Sequence, residues 1–246
     1  MGEDIDQQYD IASQKIMELE SGLSVTVNPE ITPDERDVLW GIIEQGFFDL
    51  NRRSYEKQDM TREEFDADLD SAAVVKFISH DKEGKPLGLL TVHKGLEDIV
   101  WTDTSAMAAE QAKVDPLASP YYIGTIVVAL DAKGSEAASR MLQGAYLHFR
   151  NVNERYGRQS VAFFDCADAN YPWLGEFAEK ASHPTDGFEG VPLHVKEFQQ
   201  ESWVQTSDGE VAQVTVLPED AQSYSVLDKQ HYYVVTLDTP NEPSAA

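Results

Sequence analysis

The chain has 246 residues, 41% of them hydrophobic, which suits a packed core and excludes a disordered polymer. It carries 44 Asp and Glu against 19 Lys and Arg, for a formal net charge of −25 at pH 7. A surface so acidic repels nucleic-acid phosphates and anionic membranes, so neither is expected as a partner.

Residues 1–21 are polar and acidic, with a weak helical pattern from Ile11 to Leu19, and read as a loose N-terminal arm. Leu23 to Val27 alternates as a short strand. Thr32-Pro33-Asp34-Glu35 then forms a capping box, with Pro at the first helical position. The helix it opens carries Val38, Leu39, Ile42, Ile43, Phe47 and Leu50 at helical spacing. Thr61 to Glu64 repeats the box and opens a shorter helix through Leu69.

Val74 to Ser79 and Leu87 to Val92 flank the turn-rich Asp81 to Pro86, predicting an antiparallel hairpin whose second arm reaches toward Trp101. Residues 103–120 read as a long connection with a short helix. Tyr121 to Leu130 is a continuous apolar run, expected as a strand buried on both faces. Ala138, Met141, Leu142, Ala145, Phe149 and Val152 make the stripe of a long helix that stops at Gly157. Strands are expected at Val161 to Phe164, Val195 to Val204, Val211 to Leu217 and Tyr232 to Leu237, with a helix at Tyr171 to Ala181. Residues 240–246 read as a disordered tail. A hairpin followed by strand–helix–strand–helix predicts a mixed α/β sheet covered on both faces, and 22–239 read as one domain.

The informative segment is the junction from Ile126 to Leu142. A buried strand ends, a glycine turn follows and an amphipathic helix begins. Such a junction aims backbone N–H groups and the positive helix end at one spot, which suits a pyrophosphate. Residues 133–158 hold five cations, Lys133, Arg140, Arg150, Arg155 and Arg158, against Glu136 and Glu154, a net +3 inside a chain of −25. Lys133 and Arg140 lie nearest the junction. The same segment also reads as an ordinary βαβ turn capped by Ser135.

The junction resembles motif A of the GNAT (GCN5-related N-acetyltransferase) family, where a strand is followed by a basic residue, then Gly-x-Gly-x-Gly or Ala, then a helix. Lys133 stands at the basic position, Gly134 at the first glycine and Ala138 at the last small position, while Glu136 replaces the middle glycine. The resemblance implies a GNAT-like acyl-CoA N-acyltransferase fold, α/β (α+β mixed), with a splayed central sheet and helices on both faces. It implies that the backbone of Ile126, Val127 and Val128 pairs with a pantetheine arm. It also implies that residues 134–138 (Gly134, Ser135, Glu136, Ala137 and Ala138), with Lys133 and Arg140, hold the pyrophosphate. The co-substrate implied is acetyl-CoA or another acyl-CoA. The family often carries an Asn after the next strand and a thiolate-protonating Tyr seven residues on. Asn170 fits the first position, but Phe177 occupies the second, and Tyr171 is the nearby substitute.

The expected activity is transfer of an acyl group from CoA to a primary amine, on a small molecule or peptide. The alternatives are a non-catalytic ligand- or protein-binding module of the same fold, and an N-acyltransferase fed by an acyl-carrier protein. Glu97, Asp98 and Asp103 fall where the acceptor side of such folds forms, and none is assigned a role. Cys166 is a single cysteine, so no internal disulfide forms, and its strand position suits a packed thiol. The six histidines lack His-x-x-x-His spacing and no metal is expected. Met1 to Glu20 lacks the basic start and apolar core of a secretory signal, and a cytoplasmic protein, compatible with a homodimer, is expected.

Overall fold

The structure, a computed structural model, describes residues 14–55, 59–102, 104–133, 136–157, 159–170, 193–205, 209–215 and 225–237. Among these, the elements in chain order are β1 (Gln14–Glu18), β2 (Ser24–Val27), α1 (Pro33–Asn51), α2 (Arg62–Asp70), β3 (Val74–His80), β4 (Pro86–Lys94), α3 (Thr104–Val114), β5 (Ser119–Val128), α4 (Ala137–Tyr156), β6 (Ser160–Ala167), β7 (Leu193–Gln205), β8 (Val211–Val214) and β9 (Ser225–Leu237). Hydrogen bonds link the strands in the order β1-β2-β3-β4-β5-β6-β9-β7-β8. The sheet is mixed, with β5 and β6 parallel and the other described pairings antiparallel. The chain divides into two units, one of Met1–Gly46, Met60–Lys94 and Gly124–His148, the other of Phe47–Asp59, Gly95–Ile123 and Phe149–Ala246.

In the first unit the capping boxes set the helix starts. Thr32 N–H donates to Glu35 Oε2 at 2.9 Å and Glu35 N–H to Thr32 Oγ1 at 3.3 Å. Thr61 and Glu64 repeat this reciprocal pair at α2. Trp40 of α1 packs on Phe65 of α2 with ring centroids 5.4 Å apart. Arg36 and Arg62 span the same two helices, pairing with Asp37, Asp66 and Asp70. Water screens exposed pairs of this kind, so they contribute little to stability. Burial of Leu39, Ile43, Phe65 and Leu69 contributes more.

The pleat of β3 then sorts the helices onto two sides. Lys76 is buried on the side of Asp68 of α2, and the next residue, Phe77, meets the His148 ring of α4 at 6.0 Å. Helices cover both faces, as expected. β4 and β5 approach closely at Gly88, where a Cβ would stand 2.6 Å from Val127 O and 3.0 Å from Met141 Cε.

In the second unit β9 lies between β6 and β7, antiparallel to both. One side buries Leu96, Met107, Tyr122, Phe163 and Tyr232 with α3. On the other side Phe164 stacks on Tyr233 at 4.8 Å, beside Cys166. Burial, with Asp165 next to it, pushes the Cys166 thiol up to about 12, so it packs rather than reacts.

Several elements differ from the sequence reading. Gln14–Glu18 is a strand rather than part of a weakly helical arm, because it pairs with β2 from Gln14↔Val27 to Glu18↔Ser24. Ladder hydrogen bonds outweigh a faint local propensity. β4 stops at Lys94, short of Trp101, because Gly95 takes φ +86° and turns its N–H to Pro120 O at 2.9 Å. β5 ends at Val128, and Leu130 is 45% exposed. Its burial alternates rather than covering both faces. The expected helix at Tyr171 to Ala181 and the tail at 240–246 lie outside the described residues. No described helix is long and apolar enough to cross a membrane.

Two measurements test this packing. Gly88→Ala forces a Cβ against the Val127 carbonyl, so it should lower unfolding free energy by about 1–3 kcal/mol in urea titration. His148 is buried, which lowers its ring from 6.5 to about 4, with Lys94 adding to the effect. The unfolded chain binds that proton near pH 6.5 and the folded chain does not until about 4, so stability falls as pH drops through this window. Replacing His148 by Leu should remove about 2–3 kcal/mol of that loss between pH 6.5 and 4.5, read from paired urea titrations.

Candidate functional site

The junction singled out in the sequence lies in the first unit. After β5 the chain makes a 3-10 turn, Leu130–Ala132, with Ala132 N–H on Ala129 O at 2.9 Å. Helix α4 therefore does not follow the strand at once. Its first helical residue is Ala137, and Glu136 O accepts the first helical bond from Arg140 N–H at 2.9 Å. Ala137, Ala138 and Ser139 form the first turn, whose N–H groups have no carbonyl four residues back within the helix. Ala137 is buried, Ala138 half-buried and Lys133 exposed. Gly134 and Ser135 lie outside the described residues.

The charges near this turn are largely paired along α4. Arg140 Nε and Nη2 donate to Glu136 Oε2 at 3.1 and 2.9 Å, and Nη1 donates to Gln143 Oε1 at 2.9 Å. Arg150 pairs with Glu154 at 3.5 Å. Helical i,i+4 pairs of this sort use up much of the local net charge. Glu136 holds the Arg140 guanidinium one turn inside the helix.

The strand leading to the turn is irregular. A Cβ on Gly124 would stand 2.8 Å from His93 Nε2 and 3.3 Å from Thr91 Oγ1, the side that carries Asp68, 3.6 Å from His93. Val127 faces Gly46 of α1, which packs with α2, while Val128 faces the Met141 side. Gly124 and Val127 thus share a face although three residues apart, where a regular pleat would oppose them. The pleat slips by one residue between them, the signature of a bulge. Thr91 Oγ1 supports the slip by accepting Thr125 N–H at 3.1 Å. Ile126 and Val128 are half-buried and Val127 is buried.

In the second unit β5 and β6 run in parallel register from Ser119↔Ser160 to Tyr122↔Phe163, and the register ends there, although β6 continues to Ala167. At its end stands a buried polar network. Tyr122 OH donates to Asp165 Oδ1, and Gln230 Nε2 donates to Asp165 Oδ2. Trp101 Nε1 donates to Tyr122 OH at 3.2 Å. Burial raises the Asp165 carboxyl above its ordinary 3.8, against the lowering pull of those two hydrogen bonds. Burial and the Asp165 charge push the Tyr122 phenol well up. Nearby, Glu201 accepts from Tyr232 OH at 2.7 Å, Gln213 Nε2 at 2.6 Å and Gln199 Nε2 at 3.0 Å.

The sequence reading did not find this network. It ended the strand at Phe164, one residue before Asp165. The available signal was the acid itself: a carboxylate within the apolar run Val161 to Cys166 needs buried partners.

Asn170 closes a 3-10 turn, Asp168–Asn170, and its Oδ1 accepts from Arg53 Nη2 at 3.3 Å, while Arg53 Nη1 donates to Ala169 O at 3.0 Å. Tyr171 and Phe177, and Asp103 and Arg158, lie outside the described residues. Among the described residues no group of three or more His, Cys, Asp or Glu could hold a metal.

No family model matches the sequence, and no curated protein matches it. Solved structures do. A crystal structure of Arabidopsis thaliana NAA60 with a bisubstrate analogue matches at TM-score 0.50 and 11% identity, over 86% of this chain and 97% of that one. The ribosomal-protein-S18-alanine N-acetyltransferase of Escherichia coli matches at 0.46 and 8%, over 90% and 98%. A GCN5-related N-acetyltransferase from Kribbella flavida matches at 0.45 and 10%, over 85% and 96%. At 11% identity and a TM-score of 0.50 the NAA60 match shows the fold alone, and that fold is the GNAT fold.

The contact between Gly124 and His93 is open to a direct test. Gly124→Ala should cost about 1–3 kcal/mol of stability, and His93→Ala should relieve most of it in the double variant. Simple additivity of the two costs in a thermodynamic cycle would show that the ring does not pack on Gly124.

Proposed function

We propose that this protein is an acyltransferase that moves an acetyl or other acyl group from an acyl-CoA to a primary amine. The observation that carries this reading is the passage from bulged β5 through Lys133 into the first turn of α4, within a GNAT fold. The backbone of Ile126, Val127 and Val128 pairs with the pantetheine arm. Lys133, Gly134, Ser135, Ala137 and Ala138 bind the pyrophosphate with backbone N–H groups and the positive helix end. NAA60, the similar structure, was solved with a bisubstrate analogue, in keeping with a thioester and an amine bound together.

Glu136 sets the affinity. Its carboxylate sits at the mouth of the helix, holds Arg140 and opposes an incoming phosphate. This same pair favours the second reading, a module of the same fold that binds free CoA weakly and takes its acyl group from a carrier protein or transfers none.

Calorimetric titration with acetyl-CoA tests the proposal. Binding is expected, and Glu136→Gln should tighten it about three- to tenfold by freeing Arg140 and removing a like charge. Absence of any binding heat at millimolar acetyl-CoA, in both proteins, would overturn the CoA reading. Thiol release across an amine panel separates an enzyme from a binding module.

A further inference from the structure

Both ring nitrogens of His231, on β9 of the second unit, meet carboxylates. Nδ1 stands 3.0 Å from Glu197 Oε1 of β7, and Nε2 stands 3.2 Å from Asp168 Oδ1, in the 3-10 turn that follows β6. His231 is 5% exposed. Strand pairing explains the meeting. His231 opposes Cys166 of β6, two residues before Asp168. Glu197 opposes Tyr233, which shares a face of β9 with His231.

Proton counting separates this arrangement from an ordinary ion pair. A neutral imidazole has one N–H and one lone pair. It donates to one carboxylate, and its other nitrogen then turns a lone pair toward the second. Both contacts are hydrogen bonds at once when the ring carries two N–H groups. The other titratable and charged groups described around the ring do not supply that proton. Burial, then Asp165, Glu197 and Asp168, push the Cys166 thiol up to about 12, so it stays neutral. The Asp165 carboxylate is turned to Tyr122 and Gln230. Arg53 reaches the turn elsewhere, donating to Ala169 O at 3.0 Å and Asn170 Oδ1 at 3.3 Å, with Asp49 at 3.7 Å.

The turn thus has two cationic anchors of different kinds. Arg53 keeps its charge at every working pH, whereas histidine is the side chain that changes charge near neutrality. The two acids differ as well. The Asp168 side chain is 54% exposed and that of Glu197 35%. Water replaces a lost contact more readily at Asp168, so Asp168 leaves when the ring keeps a single N–H. Arg53 then holds the turn alone, from an exposed side chain shared with Asp49.

We propose that Asp168, His231 and Glu197 form a proton-controlled latch, in which the imidazolium ties the turn Asp168–Asn170 to β9 and β7 and loss of its proton releases the turn through Asp168. The closed latch holds a proton that the open one lacks. Its contribution is therefore present at low pH and lost as pH rises through the titration of the ring. The sign is opposite to that of His148, whose burial makes the fold less stable as pH falls. Release of the turn and loss of global stability consequently run in opposite directions along the pH axis. The latch stands whether or not the chain transfers acyl groups.

NMR on the full chain tests it, with ring nitrogen shifts of His231 following the proton and backbone order parameters following the turn. Order parameters at Asp168, Ala169 and Asn170 should lie near about 0.85 at about pH 5.5 and fall below about 0.6 at about pH 8.5, while Val234 of β9 stays rigid. Asp168→Asn and His231→Gln should each make the turn's order parameters independent of pH, because neither variant can form the imidazolium–carboxylate contact. A ring that loses its proton while the turn keeps its order overturns the proposal. So does a ring that holds one protonation state across the whole range, and both of these outcomes are read on the unaltered protein. A pH response that persists in Asp168→Asn removes Asp168 as the releasing contact and overturns the latch.

Discussion

Four residue pairs, from Ser119↔Ser160 to Tyr122↔Phe163, join β5 to β6, and the ladder goes no further. Much of the molecule follows from where that ladder stops. A parallel strand buried in a sheet normally spends its backbone groups on two neighbours. β5 runs six residues beyond its last pair with β6, into a bulge, a 3-10 turn and the start of α4. The last paired residue, Tyr122, turns its hydroxyl to Asp165 on the neighbouring strand, so side chains take over where backbone pairing ends.

Charge is managed locally against a strongly acidic background. Arg36 and Arg62 tie α1 to α2, Lys113 and Lys196 hold Glu110, and Arg140 is held by Glu136. Among the described residues, Asp165 and Glu201 accept from neutral donors. The first acids meet cations of the same chain among the described residues, and these two meet amides and phenols. The first arrangement is a closed electrostatic unit.

Local chemistry made much of the architecture readable. Thr32 with Glu35 and Thr61 with Glu64 mark two helix starts through contacts that span only three residues. The turn at Asp81 to Pro86 announces the β3–β4 hairpin, with Asp81 Oδ1 accepting from Glu83 and Lys85 N–H. The apolar stripe of α4 stops at Gly157, whose φ of +62° suits glycine. The junction at Lys133 to Ala138 was found for the same reason: strand, turn and helix are neighbours in the chain. The Asp165–Tyr122 contact was not, because 43 residues separate its members and neither stands in a recognisable spacing.

The sequence by itself determined the acidic balance, most of the described element types and the segment where a strand feeds a helix, since helix caps, turns and apolar periodicity depend on contacts within a few residues. Only the tertiary structure decided that Gln14–Glu18 is a strand, that β5 slips its pleat between Gly124 and Val127, and that Arg140 is occupied by Glu136. It alone decided that the buried Glu110 meets Lys113 and Lys196. Strand pairing, a bulge and the solvation of a buried carboxylate are set by neighbours distant in the chain, and such neighbours leave no periodic mark on the residues they constrain.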